Sequence, residues 1–208
     1  MKKNKNVLIV VAHRDDETFG CGGTIVKLVK QNYKVFAISM TDGVSSRKHI
    51  KKRDITDRYE HSLRASKILG FKWLDKISGN FKDNKMDDAN ILDIIKVIEK
   101  AKTKIKPEVV ITHFPDDLNV DHQIVSNATM TAFRPKAKEK CKKIIAFEVP
   151  SSTDYANFKK NNFKPNYYVN IDKFWKKKFL ALKAYKNEIL KYPNSRSIKG
   201  IKNLAHYR

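Results

Sequence analysis

Cysteine is scarce. Only two occur in 208 residues, Cys21 and Cys141, too few to staple a fold of this size, which excludes a disulfide scaffold. Long hydrophobic runs are missing too. The longest, residues 7–12 (VLIVVA), falls far short of a membrane span. It follows a lysine-rich start, but it is too short for a signal-peptide core and runs straight into His13-Arg14-Asp15-Asp16-Glu17. Acidic residues are outnumbered, 22 Asp+Glu against 44 Lys+Arg, for a formal charge of +22. Such an excess attracts nucleic acid, anionic membranes or phosphorylated substrates. Arginine is sparse, however, at positions 14, 47, 53, 58, 64, 134, 196 and 208 only, and base readout relies on well-placed Arg, Asn and Gln. Lysine is spread along the chain, densest at Lys51-Lys52-Arg53, over residues 136–143 and at Lys176-Lys177-Lys178. With no internal repeat, linker or nucleic-acid module, this describes a solvated lysine-rich surface. The expectation is a soluble, cytoplasmic protein with no specific nucleic-acid partner, no transmembrane segment and at most weak contact with an anionic membrane surface.

What is present reads as alternating strands and helices. Residues 6–12 form a β-rich apolar run suited to a buried parallel strand. The cluster Gly20-Cys21-Gly22-Gly23 leads to a helix over 24–30. KVFAISM (34–40) predicts a second strand, stopped by Thr41-Asp42-Gly43 and followed by a polar loop over 44–52. A helix over 57–69 ends at Gly70, a C-cap glycine, and Trp73-Leu74 suit a short third strand. Ile91, Ile94, Ile95, Ile98 and Ala101 form a stripe at helical spacing. A strand at 109–112, a helix over 120–133, strands at 144–149 and 167–170 and a long helix over 171–190 complete the order. Repeated β-α units imply the α/β class: a Rossmann-like three-layer sandwich with a mostly parallel central sheet, in one domain over residues 1–208.

Two polar segments each follow a predicted strand: Ala12-His13-Arg14-Asp15-Asp16-Glu17, and residues 113–122 (HFPDDLNVDH). In an open α/β sheet the carboxyl ends of the strands form the ligand crevice, so the two can converge. His13 offers an imidazole and Asp16 a carboxylate close enough in the chain to grip one ion, and His122 can close a set of three. Three protein ligands with a position left open is the pattern of catalytic zinc. Asp15 stands beside the ligands without being needed as one, which suits a general base. Asp121 is placed to orient an imidazole from behind, and Asn119 to donate to a developing oxyanion. Against this stands the plainer reading that acids after a strand only favour a helix N-terminus. A dinucleotide fingerprint is a poor rival. The glycine spacing is not Gly-x-Gly-x-x-Gly, and Asp15, Asp16 and Glu17 would repel a pyrophosphate. The glycines instead allow backbone to pass close to a ligand or a neighbouring strand.

With those residues in view, AHRDDETFGCGGTI resembles the hallmark motif of the PIG-L/LmbE-like zinc-dependent N-deacetylases, and THFPDDLNVDH followed by AFRP resembles that family's second metal motif. MTDG, LG at Leu69-Gly70, FKDNKMD, FEVPSST and YPNSRSIKGI resemble the branch associated with bacterial surface-polysaccharide biosynthesis. The resemblance implies an LmbE-like fold and hydrolysis of an N-acetyl group on an amino sugar or sugar conjugate, nucleotide- or lipid-linked. It implies Zn2+, or another divalent ion such as Fe2+, held by His13, Asp16 and His122, with Asp15 as general base and Asp121 and Asn119 beside it. Arg58 matches a substrate-binding arginine. Arg14, Asp42 and Arg196 are further substrate-binding candidates, Asp42 with the alternative of shaping its turn and Arg196 of capping a helix.

Three features depart from the family pattern. Arg14 replaces the usual proline. Asn119 stands where many members have a histidine, and asparagine cannot become an imidazolium. The chain also stops at Arg208, where relatives generally continue, an expectation of a shorter active-site rim. These motivate an alternative: a catalytically weakened or inactive glycan- or phosphate-binding protein of the same fold.

Overall fold

The computed structural model describes residues 5–137, 139–156 and 162–208, so Lys138 of the lysine run lies outside the described residues. Among the described residues five strands form one sheet: β1 (Asn6–Val11), β2 (Lys34–Ser39), β3 (Lys72–Trp73), β4 (Val109–His113) and β5 (Lys143–Phe147). Their order is β3-β2-β1-β4-β5 and every pairing is parallel. Among the described residues six α-helices cover it: α1 (Asp16–Lys30), α2 (Lys52–Leu69), α3 (Ile91–Ile105), α4 (Val120–Ala132), α5 (Trp175–Ala184) and α6 (Ile198–Tyr207).

The central strand explains the layering. Residues 7–11 are wholly buried, and their side chains alternate between two cores. Val7, Ile9 and Val11 pack with Phe19, Ile25, Leu69, Leu182 and Tyr185 beneath α1, α2 and α5. Leu8 and Val10 pack with Ile94, Ile98, Val125 and Ala128 beneath α3 and α4. A strand covered on both faces needs apolar residues at every position, hence the unbroken run. The chain runs outward from β1 through β2 to β3, then returns to place β4 on the other side of β1. The loops after β1 and β4 therefore open into a crevice at the reversal of strand order.

Several expected boundaries move. α1 begins at Asp16, so the glycines lie inside the helix, with a kink at Cys21 (φ −122°, ψ 17°). Their service is close approach: a Cβ at Gly20 would stand 2.1 Å from the Phe147 ring and one at Gly23 2.7 Å from Ile171. α2 starts at Lys52 within the expected loop, because the Asp54 carboxylate accepts from Lys51 N–H (2.7 Å) and closes its first turn. Residues 167–170 do not pair as a strand. Tyr167 and Tyr168 stay 52% and 61% exposed and gain no burial from joining the sheet. The long helix shrinks to α5 because the chain tightens into a 3-10 turn at Lys186–Glu188. α6, absent from the sequence expectation, is capped by Ser197, whose hydroxyl accepts from Gly200 N–H (2.9 Å). Among the described residues no helix is long and apolar enough to cross a membrane.

Candidate metal centre and active site

His13 and Asp15 lie in the turn between β1 and α1, and Asp16 opens the helix. The Asp16 carboxylate accepts from His13 N–H at 2.9 Å, which fixes the turn. Across the crevice, Asn119 caps α4, its side-chain oxygen accepting from Asp121 N–H (2.9 Å) and His122 N–H (3.3 Å). This brings His122 into the first turn of α4, facing His13. Three buried atoms then converge. His13 Nδ1 lies 3.2 Å from His122 Nε2 and 3.3 Å from Asp16 Oδ2, and His122 Nε2 lies 3.4 Å from Asp16 Oδ2.

The far side of each ring shows that this set fits a metal ion. His13 Nε2 faces Asp83 Oδ1 (3.2 Å) and Asp121 Oδ2 (3.3 Å), and His122 Nδ1 faces Asp117 Oδ1 (3.1 Å). Carboxylates there hold the N–H on the outer nitrogens and leave the inner lone pairs aimed at a shared point. Two imidazoles and one carboxylate suit Zn2+ or Fe2+ with open positions. A second grouping, His13 with Asp83 and Asp121, also falls within ligand distance. Its carboxylates are already engaged, Asp83 by Ser46 N–H and hydroxyl (3.0 and 2.6 Å) and Asp121 by Asn84 and Met86 N–H (2.8 and 3.1 Å). They act as supports behind His13.

The same acids also draw protons to the rings, a positive charge that a bound ion would replace. Burial opposes charge on His13 and His122, yet the Asp16 carboxylate and the outer acids outweigh it and raise both pKa values. Burial likewise opposes ionisation of Asp16, but the surrounding imidazoles hold its carboxyl well below the usual range. Asp83, despite burial, is brought down to about 2 by His13 and Ser46. His113 differs. Burial and then neighbouring His122 lower its pKa. Its Nε2 accepts from Ala12 N–H (2.9 Å), and its ring stacks on His122 at 4.0 Å. It is a neutral shelf under a ligand ring.

Asp15 sits beside the set, and its Oδ2 meets Arg196 (2.7 Å) and Arg58 (3.0 Å). Arg58 also donates to the Arg14 carbonyl (2.9 Å), and Arg196 stacks on Phe19 at 4.1 Å. Asp15, Arg58 and Arg196 line a pocket of about 340 Å3 together with His13, Asp16 and His122. A larger cavity of about 520 Å3, along β5 and bounded by Phe147 and Tyr167, includes none of these ligand residues. The substrate-binding expectation for Arg14 is corrected, and for Asp42 the turn-shaping alternative is the one seen. Arg14 turns into the protein, donating to Ser62 Oγ (3.1 Å) and Asp75 (2.6 Å) and stacking on Trp73 at 4.6 Å. A long cation that finds a carboxylate and an aromatic face within reach packs there. Asp42 accepts from Val44 and Ser45 N–H (2.9 and 2.8 Å), so it shapes its own turn. Asn119 lines the pocket, but its Nδ2 donates to Asn84 (3.0 Å) while its oxygen caps α4. Asp121 does stand behind an imidazole, that of His13. Glu17, the buried acid beside Asp16, receives Thr18 and Tyr185 hydroxyls (2.6 and 3.0 Å), and burial pushes it up to about 8.

Sequence reasoning missed Asp83 and Glu188. Asp83 lies in the FKDNKMD segment without a spacing that pairs it to His13. Glu188 gave no signal.

The family described as PIG-L: GlcNAc-PI de-N-acetylase matches residues 8–133, which contain both metal segments. The chain belongs to the PIG-L family. It is 30% identical over 191 residues, 89% of this chain and 92% of the relative, to a protein of Escherichia coli K12 named uncharacterized deacetylase YaiS. It is 25% identical over 198 residues, 90% of this chain and 83% of the relative, to a Bacillus anthracis protein named probable N-acetyl-alpha-D-glucosaminyl L-malate deacetylase 2. Its fold matches the N,N'-diacetylchitobiose deacetylase of Pyrococcus horikoshii with a TM-score of 0.74 at 20% identity, over 99% of this chain and 79% of that one. This PIG-L protein thus has the α/β architecture expected from its alternating strands and helices, and the LmbE-like fold that the resemblance implied.

Proposed function

We propose that the protein is a metal-dependent deacetylase that hydrolyses the acetamide of an N-acetylated amino sugar or its conjugate to acetate and a free amine. One observation carries the reading. Asp16 and two imidazoles converge, each imidazole is backed by a carboxylate, and a further acid, Asp15, stands at the mouth. His13 Nδ1, Asp16 Oδ2 and His122 Nε2 would hold the ion, Zn2+ first and Fe2+ second. When bound, the ion supplies Lewis acidity that polarises the amide carbonyl and acidifies water.

The remaining chemistry belongs to side chains. Both arginine contacts of Asp15 fall on Oδ2, so Oδ1 is the oxygen that accepts a proton as water adds to the carbonyl carbon. The same oxygen returns the proton to nitrogen as the C–N bond breaks. Arg58 and Arg196 fix that carboxylate and face the substrate. Asn119 Nδ2 exchanges Asn84 for the oxyanion. Asp121 and Asp83 keep His13 in the required tautomer, and Asp117 does so for His122. We place this activity in one unit over residues 1–208, in a cytoplasmic step of surface-glycan assembly with the nucleotide or lipid carrier directed away from the reacting amide. The resemblance of the segments around Asp42, Asp83 and Arg196 supports that setting.

Mass spectrometry of acetate release from a panel of N-acetylated sugars and sugar conjugates, with and without chelator, tests the reading. Release that stops with chelator and returns with Zn2+ is expected. Metal uptake with no release across the panel overturns it. That outcome favours an inactive glycan-binding protein of the same fold, a reading motivated by the engagement of Asn119 in its cap and in Asn84.

A further inference from the structure

Three arginines from separate segments of the chain reach a single carboxylate at the outer end of the pocket. Arg47, in the loop after β2, donates to both oxygens of Glu188 at 2.9 Å. Arg58, on α2, pairs with Glu188 Oε1, and Arg196, just before α6, stands 3.9 Å from Oε2. Arg58 and Arg196 are the same residues that hold Asp15. The side chain of Glu188 is 11% exposed and that of Arg58 is 4% exposed, so this pair is built into the wall, and Arg47, 47% exposed, reaches it from the solvent side. All five residues line the pocket.

Guanidinium forks are the protein's best receptors for phosphate and carboxylate. Three of them around one opening would ordinarily mark an anion site. Here the receptor is already filled from within. A ligand anion entering the opening meets Glu188 and Asp15 as like charges. To displace Glu188 it would have to strand a largely buried carboxylate. We propose that Glu188 is a specificity-determining counter-anion. It occupies the arginine receptor, so the pocket takes acetamido sugars that are uncharged next to the reacting amide and rejects those bearing phosphate or carboxylate there. This rests on the deacetylase reading for its substrate but not for its test.

The test is titration of the purified protein with inorganic phosphate by calorimetry, comparing wild type, Glu188→Gln and Glu188→Gln combined with Arg47→Ala. Glu188→Gln keeps the shape and removes the charge. Phosphate is expected to bind it at least tenfold more tightly than wild type, and the gain is expected to vanish in the double variant. Equal affinity in wild type and Glu188→Gln, or a gain that survives loss of Arg47, overturns the proposal. Should Glu188→Gln fail to fold, wild type and Arg47→Ala decide it. Tight phosphate binding to wild type that Arg47→Ala abolishes overturns the proposal, and weak binding indifferent to Arg47 supports it. A second readout is the ratio of kcat/KM for N-acetylglucosamine to that for its 1-phosphate, whose phosphate is on the carbon next to the one bearing the acetamide, expected to fall at least tenfold in Glu188→Gln. Inactivity on both sugars counts against the deacetylase reading and leaves the phosphate result standing.

Discussion

At the inner end of the pocket the three ligand side chains come from two short segments, one after β1 and one after β4. At the outer end Arg47, Arg58, Glu188 and Arg196 come from four places, two of them beyond the family match at residues 8–133. The inner end is close to a consequence of topology. Once β1 and β4 are neighbours, the turns that follow them face each other, and residues of the right type there must meet. The outer end needs α2, α5 and α6 all docked before its charges find one another. Asp15 joins the two, as a neighbour of Asp16 in sequence and a partner of Arg58 and Arg196 in space. Chemistry and selectivity are thus encoded at different ranges in one pocket.

Substitutions can break that division, and the largest effects belong to the inner end. His13→Ala is expected to lose both stoichiometric metal, read by elemental analysis, and turnover. Asp15→Asn should keep the metal while turnover falls by about 10²- to 10⁴-fold, the usual worth of a general base. Wild-type turnover would remove Asp15 from the reaction. Asp117→Asn tests the supports behind the ligands. Metal affinity, measured by competition with a chromophoric chelator, should drop about 10- to 100-fold, with activity restored by excess metal.

Smaller effects sharpen the contrast from the structural side. Lys178 on α5 is buried, its ammonium donating to the Phe19 carbonyl (2.9 Å), and burial brings its pKa down from 10.5 to about 8. Between those values the unfolded chain holds a proton that the folded chain has released, so the contribution of this group to stability rises with pH across that window and is flat on either side. The contribution is on the order of 3 kcal/mol. Lys178→Met should remove this component, so that the urea midpoint of wild type gains on that of the variant as pH rises from about 8 to 10.5. Arg14→Ala is expected to cost about 1–2 kcal/mol of stability by the same assay, through loss of its bonds and of its packing on Trp73, with KM unchanged. A raised KM would return Arg14 to the pocket.

The β-α order, the central strand and the pairing of His13 with Asp16 were legible because each is local, and His122, 109 residues from His13, was legible only as part of a second polar segment at a strand end. Residues 7–11 are apolar at every position because both faces of β1 are covered, and His13 and Asp16 are three apart in one turn. Legibility failed where the deciding partner is distant. Nothing near Glu188 announces three arginines, one of them 141 residues away. Nothing near Arg14 announces Asp75 and Trp73, which draw it from the crevice. Asp42 and Asn119 were placed at the right loops, but their turn and cap geometry answers to backbone N–H groups that a residue pattern does not reveal.

Taken alone, the amino-acid order determined the five segments that pair in the sheet, their mostly parallel arrangement, and that two imidazoles and a carboxylate stand at strand ends, though it also offered a strand at 167–170 that does not form. These follow from periodicity and from short-range chain geometry. Only the folded molecule decided which nitrogen of each ring faces inward, which acids stand behind them and which arginine leaves the pocket. Those choices are settled by Coulomb attraction and hydrogen bonding between groups that come within reach only after the layers have packed.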